Sequence, residues 1–474
     1  MTATNTKVSA ATQSCPQGQE RLFTHLTSLG TDSQLALSQQ IDDLDFTLIS
    51  ELAALARASK HSTDAPEIAP PKTVTLEEVR RGSDRVHDAI KRGVEELAAG
   101  KVAMLLVAGG QATRLGCDGP KGDFPVGPVS GWSLFMIHAR RIRAVKKRYN
   151  VRVPWYVMTS EANDDATREI FASNEYFGLP ESDVIFFTQK MLPALDLDGN
   201  VLLKDRESLF LAPNGHGGSL EAFASSGCLE DARRRGITTI SYFQVDNPLV
   251  RPADALFLGL HCNAQAQMSS KVVQKRSADE KVGVLGLIDG KMGCIEYSDM
   301  PKEQLQAKTP TGELQFSAGN IAVHALSIDF IAEITDGGLK LPWHIAKKKI
   351  NSLDVSGAPA QVDGMKFETF VFDALGLAKE TVTLEVDRGV EFSPVKNREG
   401  ADSPDTARKA MAALHAQWVS EAGLPLPAAG DDGVIAVEVD PLVAEDSENF
   451  KNSLPRKPLE TDDGHLYYCV SELS

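Results

Sequence analysis

The sequence predicts an α/β protein with a central mixed, mainly parallel sheet and helices on both faces. Short apolar runs of strand length recur along the chain, and helical stretches separate them. The run KVAMLLVAGG at 101–110 is continuously apolar and ends in two glycines, as a buried parallel strand does. Similar runs begin at Val153, Asp183, Ile237 and Ser269, with helical patterns at 133–148 and 164–174 between some of them. This alternation favours a parallel sheet.

The flanking regions differ from this central part. Residues 1 to about 20 are polar and predict a disordered start, and 22–56 show apolar residues at helical spacing. The proline-bearing stretch 61–73 predicts a linker, followed by a helix from Thr75 to Gly100. A helix at 403–422 precedes short alternating strands. We therefore expect three domains, listed by residue number: 1–100, mostly helical; 101–396, the central α/β domain; and 397–474, a small C-terminal domain.

Composition excludes several functional classes. The chain has 474 residues and a formal net charge of −16, which argues against a general binder of nucleic acid or anionic membranes. No run approaches the ~20 apolar residues of a membrane helix, and the N-terminus lacks the apolar core of a signal peptide. The six scattered cysteines predict reduced thiols. We therefore expect a cytoplasmic protein.

The most informative segment is LLVAGGQATRLGCDGPKGDFPVG at 105–127. Ligands of parallel sheets bind beyond the carboxyl ends of the strands, and glycines let backbone N–H groups approach oxygen atoms closely. Arg114 and Lys121 could then neutralise a polyphosphate. The segment matches neither the P-loop nor the dinucleotide fingerprint. Taken alone, the two glycines are equally compatible with a tight turn that carries two surface cations and has no ligand.

Other candidates are single residues with ordinary structural alternatives. Asp246 follows an apolar strand and could hold Mg²⁺, or could simply cap a turn. The amide of Gln189 offers both a hydrogen-bond donor and an acceptor, or is simply a polar strand end. A lone lysine such as Lys396 is usually solvated, and the alternating Phe370 and Phe372 would be core residues if they lie in a strand.

The segment VAGGQATRLGCDGPKG resembles the [LV]-x-G-G-x-x-T-R-L-G-x-x-x-P-K-G signature of uridylyltransferases that join UTP to sugar 1-phosphates. The similarity continues through YFGLPESDVIFFTQKMLPALDLDG, APNGHGG, VDNPLV, FSAGNIAVH and EFSPVKN, and covers residues 25 to 450. It is strongest with the eukaryotic-type UDP-N-acetylhexosamine pyrophosphorylases. The resemblance implies a fold of the nucleotide-diphospho-sugar transferase type, with 101–396 as the catalytic domain.

The resemblance also implies a reaction. UTP and N-acetylglucosamine 1-phosphate, or another N-acetylhexosamine 1-phosphate, would give pyrophosphate and the UDP-sugar by in-line attack on the α-phosphate. Arg114 and Lys121 would hold the pyrophosphate, Lys396 the α-phosphate, and Asp246 a Mg²⁺ cofactor. Independently of the resemblance, Asp387 and Glu391 in the acidic segment before Lys396 are candidate second metal ligands. The implied nucleotide contacts are Ala108, Gly109, Gly110, Gln189, Gly215 and His216. The implied sugar contacts are Gly217, Glu296, Tyr297, Asn320, Phe370 and Phe372.

Three residues depart from the family pattern, and the last of them, His216, bears on sugar specificity. Ala112 stands where the family often has glycine, and Asp123 follows the phosphate segment closely. His216 stands where the hexosamine enzymes more often have asparagine, while relatives that use non-acetylated sugars carry G-H-G there. A UDP-glucose or broad UDP-sugar pyrophosphorylase is therefore the alternative. A non-catalytic nucleotide-sugar sensor would be favoured by loss of Arg114, Lys121 or Asp246, yet all three are present.

Overall fold

The computed structural model describes residues 15–58, 66–297, 299–354, 357–430, 433–453, 457–461 and 464–469. The chain divides into two compact units. The first consists of Met1–Ala65, Gln189–Gly218 and Leu341–Val371. The second consists of Pro66–Thr188, Ser219–Lys340 and Phe372–Ser474. The disordered start expected for residues 1 to about 20 falls mostly on 1–14, outside the described residues, although a helix already begins at Glu20.

The strands follow one another along the whole described chain. They are β1 (Ile68–Ala69), β2 (Thr73–Val74), β3 (Val102–Val107), β4 (Trp155–Thr159), β5 (Val184–Thr188), β6 (Met191–Pro193), β7 (Leu195–Asp196), β8 (Leu211–Pro213), β9 (Thr239–Gln244), β10 (Met268–Gln274), β11 (Val284–Ile288), β12 (Lys291–Ile295), β13 (Ala318–Ser327), β14 (His344–Leu353), β15 (Pro359–Glu368), β16 (Thr381–Glu385), β17 (Val437–Val439), β18 (Leu459–Glu460) and β19 (Leu466–Tyr468).

The α-helices alternate with these strands in the central part of the chain. They are α1 (Glu20–Ser28), α2 (Thr31–Asp42), α3 (Phe46–Arg57), α4 (Leu76–Arg81), α5 (Asp84–Ala98), α6 (Leu134–Tyr149), α7 (Asp164–Ser173), α8 (Gly218–Ser225), α9 (Cys228–Arg234), α10 (Ala255–Asn263), α11 (Lys302–Leu305), α12 (Ile328–Thr335), α13 (Arg388–Glu391), α14 (Pro404–Glu421) and α15 (Ser447–Asn452). Within the described ranges, no helix is both long and apolar enough to cross a bilayer.

The second unit is built on the sheet that the sequence predicted. Its main path runs β2-β16-β10-β13-β9-β3-β4-β5, with β1, β11 and β12 attached beside β13. Strand β3 pairs in parallel with β4 and β9, and β4 with β5, whereas β13 runs antiparallel to β9 and β10. The sheet is therefore mixed and mainly parallel, which confirms the predicted fold class. Its central strands are buried on both faces, as their uninterrupted apolar sequence requires.

Capping residues divide the N-terminal helical stretch into shorter helices than expected. The single run expected over 22–56 is three helices, because Gly30 precedes α2 and the Asp45 carboxylate accepts from two N–H groups at the start of α3. The stretch 75–100 is likewise two helices, since Gly82 adopts a φ of 65° after α4. Part of the expected linker also pairs as strands β1 and β2.

The C-terminal residues share a core with the central sheet, so the structure groups them differently from the separate domain expected at 397–474. Val437, Val439, Phe450 and Tyr468 belong to the same buried cluster as strands β3 and β4. The predicted helix is α14, which begins after its Ser403 cap. The C-terminal segment is fixed to the rest of the unit by polar contacts as well as by this apolar burial.

A buried ion pair anchors that segment. The Arg140 guanidinium donates through Nε to Asp440 at 2.8 Å and makes a second contact through its terminal nitrogen. Both side chains are almost completely buried, and Arg140 also lies over the Trp132 ring, 4.2 Å from its centroid. The bidentate geometry compensates for part of the desolvation of the two charges. This pair links α6 to the end of β17.

The histidines expected to be structural have that role in the structure. His138, His261 and His324 are buried, and their rings contact Val245 O, Ser269 Oγ and Ser270 Oγ at 3.0, 2.8 and 2.8 Å. Burial lowers the pKa of His138 and of His261 to about 4, so both are neutral near pH 7. The six cysteines all lie in the described part of the chain, where none of them forms a disulfide, as predicted.

Asp440→Ala should lower the thermal unfolding midpoint strongly, because it removes the carboxylate partner of a buried guanidinium. The loss expected for breaking such a pair is about 3–5 kcal/mol. Differential scanning calorimetry measures it, with Arg81→Ala as the control because the Arg81–Glu77 pair is largely exposed. Equal shifts for the two variants would contradict the assigned role of Arg140 and Asp440.

Candidate active site

The candidate phosphate segment leaves the sheet where the strand order reverses. From β3 the chain goes on to β4 on one side, while the much later β9 lies on the other side. Val107 at the end of β3 pairs with Met158 of β4 and with Gln244 of β9. Ligands of open α/β sheets bind in the crevice at this type of position. The segments that follow β3 and β9 therefore start side by side.

The segment after β3 forms a closed loop. Lys121 N–H donates to Gly110 O at 3.1 Å, and Ala112 N–H donates to Gly119 O at 2.9 Å, so Gln111 and Pro120 form an isolated antiparallel bridge. Gly119 has a φ of 110°, which favours glycine. Ala112 is buried within the loop and has a φ of −84°, so the family's more frequent glycine is not needed for this turn.

Three consecutive backbone N–H groups of this loop are available to a ligand. Within the described residues, the N–H groups of Gly109, Gly110 and Gln111 donate to no protein acceptor. Gly110 is exposed, and a Cβ added to it would meet no protein atom within 4 Å. Protein packing therefore does not explain the glycine, whereas close approach of an anion to the backbone does. Ala108 differs, because its N–H donates to Met158 O and its side chain is buried.

The two predicted phosphate cations are in different environments. Arg114 is exposed on a 3₁₀ turn whose neighbour Leu115 is buried, and it has no hydrogen-bond or ion-pair partner among the residues that the structure describes. Lys121 Nζ instead lies 3.0 Å from Asp246 Oδ2, and both side chains are mostly buried. The structure thus brings together the predicted pyrophosphate-binding lysine and the predicted metal-binding aspartate.

Asp246 also connects to the segment that carries Lys396. Val395 N–H donates to Asp246 O at 2.8 Å, and the Asn247 amide donates to Glu391 O at 2.7 Å and accepts from Ser393 N–H at 3.1 Å. These bonds fix the backbone before Lys396 against the end of β9. The Lys396 side chain itself is exposed.

The further metal candidates have structural roles instead. Asp387 accepts from Gly389 N–H at 2.9 Å as the cap of α13, and it pairs with Arg80. Glu391 pairs with the buried Lys271 at 2.6 Å. Among the described residues, no group of three His, Cys, Asp or Glu side chains could hold a metal ion. One carboxylate suits Mg²⁺ better than an all-protein cage, because Mg²⁺ commonly keeps water and substrate phosphates as ligands.

The candidate sugar contacts of the second unit lie around Cys294. Asn320 Nδ2 is 3.8 Å from Cys294 Sγ, and Asn320 Oδ1 accepts from Ala322 N–H at 2.9 Å. Glu296 and the exposed Tyr297 follow β12, the strand that carries Cys294. Asn320 lies beyond the last residue pair of β13 with β9, His324–Tyr242, and β13 is irregular between Asn320 and His324. Burial, followed by the Glu296 charge, raises the pKa of the Cys294 thiol.

In the first unit, the side chain of Gln189 is hydrogen-bonded to the loop that follows β8. Its amide donates to Gly215 O at 2.6 Å and to Asn214 Oδ1 at 3.1 Å, and the side chain is buried. A Cβ on Gly215 would lie 2.3 Å from Thr369 O, and one on Gly217 would lie 2.7 Å from Thr369 C. These glycines therefore serve a close approach of two backbones. The role of Gln189 in reading uracil stays a prediction.

His216 has a defined tautomer. Val371 N–H donates to its Nδ1 at 3.1 Å, so the neutral ring carries its proton on Nε2. Burial, and then the nearby His344, lowers the pKa of His216 to about 4. Phe370 is half-buried, with its ring 5.3 Å from that of His216 and 4.4 Å from that of His344.

Phe372 belongs to the second unit and is buried. It lies in the 3₁₀ helix Val371–Gly376 and not in a strand with alternating faces. Near the phosphate loop, partial desolvation raises the pKa of the exposed Asp123 carboxyl above its usual value.

Sequence reasoning missed the polar residues that support the loop. Asn163 Nδ2 donates to Ala108 O at 2.8 Å and to Gly110 O at 3.3 Å, and Ser160 Oγ donates to Gly109 O at 2.8 Å. Both residues follow β4 directly, at the same edge of the sheet as the loop. Polar residues after the neighbouring strand of a parallel sheet are a signal that could have identified them.

Known proteins resemble the chain over nearly its whole length. The sequence profile of the family described as UTP–glucose-1-phosphate uridylyltransferase matches residues 47–423. The UDP-N-acetylhexosamine pyrophosphorylase-like protein 1 of Xenopus tropicalis is 38% identical over 86% of this chain and 83% of its own. The UDP-N-acetylglucosamine diphosphorylase 2 of Arabidopsis thaliana is 36% identical over 92% and 89%.

A solved structure agrees with these sequence relatives. The uridine diphosphate N-acetylglucosamine pyrophosphorylase of Trypanosoma brucei, in complex with an inhibitor, has a TM-score of 0.81 and 27% identity. The alignment covers 96% of this chain and 95% of that chain. The likeness therefore includes both of the units described above.

Two glycines of the loop should respond differently to alanine. Gly122→Ala places a Cβ 2.2 Å from the Phe135 ring and should destabilise the protein by about 1–3 kcal/mol through overpacking. Gly110→Ala meets no protein atom and should leave the unfolding midpoint nearly unchanged, yet weaken UTP binding. Thermal unfolding and calorimetric UTP titration of both variants test this contrast. A Gly110→Ala protein with normal UTP affinity would contradict a phosphate site at this glycine.

Proposed function

Because the chain belongs to the UTP–glucose-1-phosphate uridylyltransferase family, we propose that it forms UDP-N-acetylglucosamine and pyrophosphate from UTP and N-acetylglucosamine 1-phosphate. The observation that carries the proposal is the loop at 109–111, which offers three N–H groups beside Asp246 at the switch point of the sheet. Cytoplasmic residence, as expected from the sequence, is part of the proposal.

The proposed reaction requires positioning and charge neutralisation more than covalent catalysis. A phosphate oxygen of the sugar 1-phosphate attacks the α-phosphorus of UTP in line with the departing pyrophosphate, so no general base is needed. The loop N–H groups and Arg114 bind the departing pyrophosphate. Lys396 is exposed on a segment held beside Asp246, and it neutralises the α-phosphate. Removing one such donor typically costs about 3–4 kcal/mol of transition-state stabilisation.

Asp246 is the residue that would hold Mg²⁺. When bound, the ion would neutralise charge on the phosphates. Lys121 Nζ already lies 3.0 Å from one oxygen of this carboxylate. Lys121 would therefore compete with a divalent ion for this carboxylate. Once released from Asp246, its ammonium group would be free to contact phosphate oxygens.

The sugar is assigned to the N-acetylated class. The relatives with higher identity are named for N-acetylated substrates, and Asn320 offers a half-buried amide that can serve the N-acetyl oxygen. His216 departs from the asparagine of the hexosamine enzymes, but its Nε2–H keeps a donor at this position. A UDP-glucose or broad UDP-sugar pyrophosphorylase is the second candidate, and His216 is the observation in its favour.

A panel of sugar phosphates tests the proposed reaction. With UTP and Mg²⁺, N-acetylglucosamine 1-phosphate should release pyrophosphate with the highest kcat/KM, N-acetylgalactosamine 1-phosphate a lower one, and glucose 1-phosphate the lowest. A site that pairs with a polar substrate group discriminates against analogues that lack it. Preference for glucose 1-phosphate would move the protein to the second candidate. Absence of turnover with every sugar would favour a sensor, and Arg114→Gln is the control for background release.

Lys121→Met should bind Mn²⁺ at least about tenfold more tightly than the unsubstituted protein when no nucleotide is present, a difference of ~1.4 kcal/mol. The reason is that the ammonium group no longer competes for Asp246. Electron paramagnetic resonance of free Mn²⁺ measures the affinity. Arg114→Gln is the matched control, because it removes a cation of the same loop that is not paired with Asp246.

Comparing Lys121→Met with Arg114→Gln distinguishes competition between Lys121 and the metal ion for Asp246 from a general effect of the loop's charge. A similar gain in both variants would show that Lys121 acts only through the net charge of the loop. Mn²⁺ binding that persists unchanged in Asp246→Asn would contradict Asp246 as the metal residue. Turnover should fall in Lys121→Met despite the tighter metal binding.

A further inference from the structure

We propose that Ser160 and Asn163 are positioning residues that aim the N–H groups of the phosphate loop at its anion. Asn163 Nδ2 donates to Ala108 O at 2.8 Å and to Gly110 O at 3.3 Å, and Ser160 Oγ donates to Gly109 O at 2.8 Å. Three consecutive carbonyl groups are thus held by two side chains from the neighbouring β4–α7 turn.

The geometry of the peptide unit gives this arrangement its effect. In a trans peptide the carbonyl of one residue points opposite to the N–H of the next residue. The peptides whose carbonyl groups are held at 108, 109 and 110 are those that carry the N–H groups of Gly109, Gly110 and Gln111. These are the three N–H groups that donate to no acceptor among the described residues. Holding the carbonyl groups inward therefore turns the donors outward.

Glycine makes such an anchor necessary. Gly109 and Gly110 have more backbone freedom than other residues, so fixing their conformation costs more conformational entropy. A loop left free would lose this entropy when the anion binds, which would weaken the affinity. The side chains of Ser160 and Asn163 hold the loop in its binding conformation beforehand.

The supporting turn is itself well fixed. Asn163 is 1% exposed and Ser160 is 3% exposed. Asn163 Oδ1 accepts from Ser160 N–H at 2.8 Å, so its Nδ2 faces the loop carbonyl groups. Gln111 Nε2 also donates to Ala162 O at 2.9 Å. The orientation of Asn163 therefore follows from the turn and does not depend on a bound ligand.

The inference rests on the proposed function for the identity of the anion, and inorganic pyrophosphate serves as the probe. Calorimetric titration at fixed Mg²⁺ should show at least tenfold weaker pyrophosphate binding to Asn163→Ala than to the unsubstituted protein. Asn174→Ala is the matched control, because Asn174 lies after the same helix α7 and its amide donates to Ile170 O, away from the loop. The control should change the affinity less than twofold.

Ser160 provides the second, milder variant. Ser160→Ala removes one of the three carbonyl contacts and should weaken pyrophosphate binding severalfold, and Ser160→Thr should restore it by returning the hydroxyl group. Thermal unfolding of each variant shows whether it folds. If Asn163→Ala does not fold, the comparison of Ser160→Ala with Ser160→Thr tests the positioning role.

Failure of the inference differs from failure of the proposed function. A folded Asn163→Ala protein, or a Ser160→Ala protein, that binds pyrophosphate as tightly as the unsubstituted chain would overturn the positioning role while leaving the function intact. An equal loss in Asn174→Ala would overturn it too, because the effect would then be a general one of α7. An unsubstituted protein that binds no pyrophosphate would refute the anion site itself, and the proposed function with it.

Discussion

The parallel pairing of β3 with β9 is the contact on which the candidate site depends. It joins strands separated by more than a hundred residues of sequence, and it places the loop after Val107 beside the segment after Gln244. The backbone donors of the loop and the carboxylate of Asp246 therefore share one crevice. Strand β4, on the other side of β3, brings Ser160 and Asn163 beneath the same loop. The carboxyl ends of these three strands thus supply the N–H donors, the Asp246 carboxylate and the side chains that support the loop.

Charge at this edge is balanced before any substrate arrives. A buried carboxylate and a buried ammonium group are each costly alone, and the pairing of Lys121 with Asp246 offsets much of that cost. Arg114 and Lys396 remain exposed. In a chain with a net charge of −16, this local set of cations is what makes a polyanion acceptable.

In the first unit, the surroundings of His216 fix both the path of its backbone and the tautomer of its imidazole ring. The glycines around His216 allow the backbone to approach Thr369, and Val371 N–H fixes the imidazole tautomer. With its low pKa, the ring is neutral and offers one donor across the physiological pH range. A histidine held in this way can replace an asparagine as a donor, although its shape differs.

The sequence by itself determined the α/β class, the strands that form the sheet centre, and the loop with Arg114 and Lys121, because apolar runs, glycines and caps act over short distances. It did not determine where the longer helical stretches break, or that the C-terminal segment shares the central core. The pairing of Lys121 with Asp246 and the support from Asn163 were decided only by the tertiary structure. The physical reason is that strand order brings distant segments together, and no local pattern encodes which strand lies beside β3.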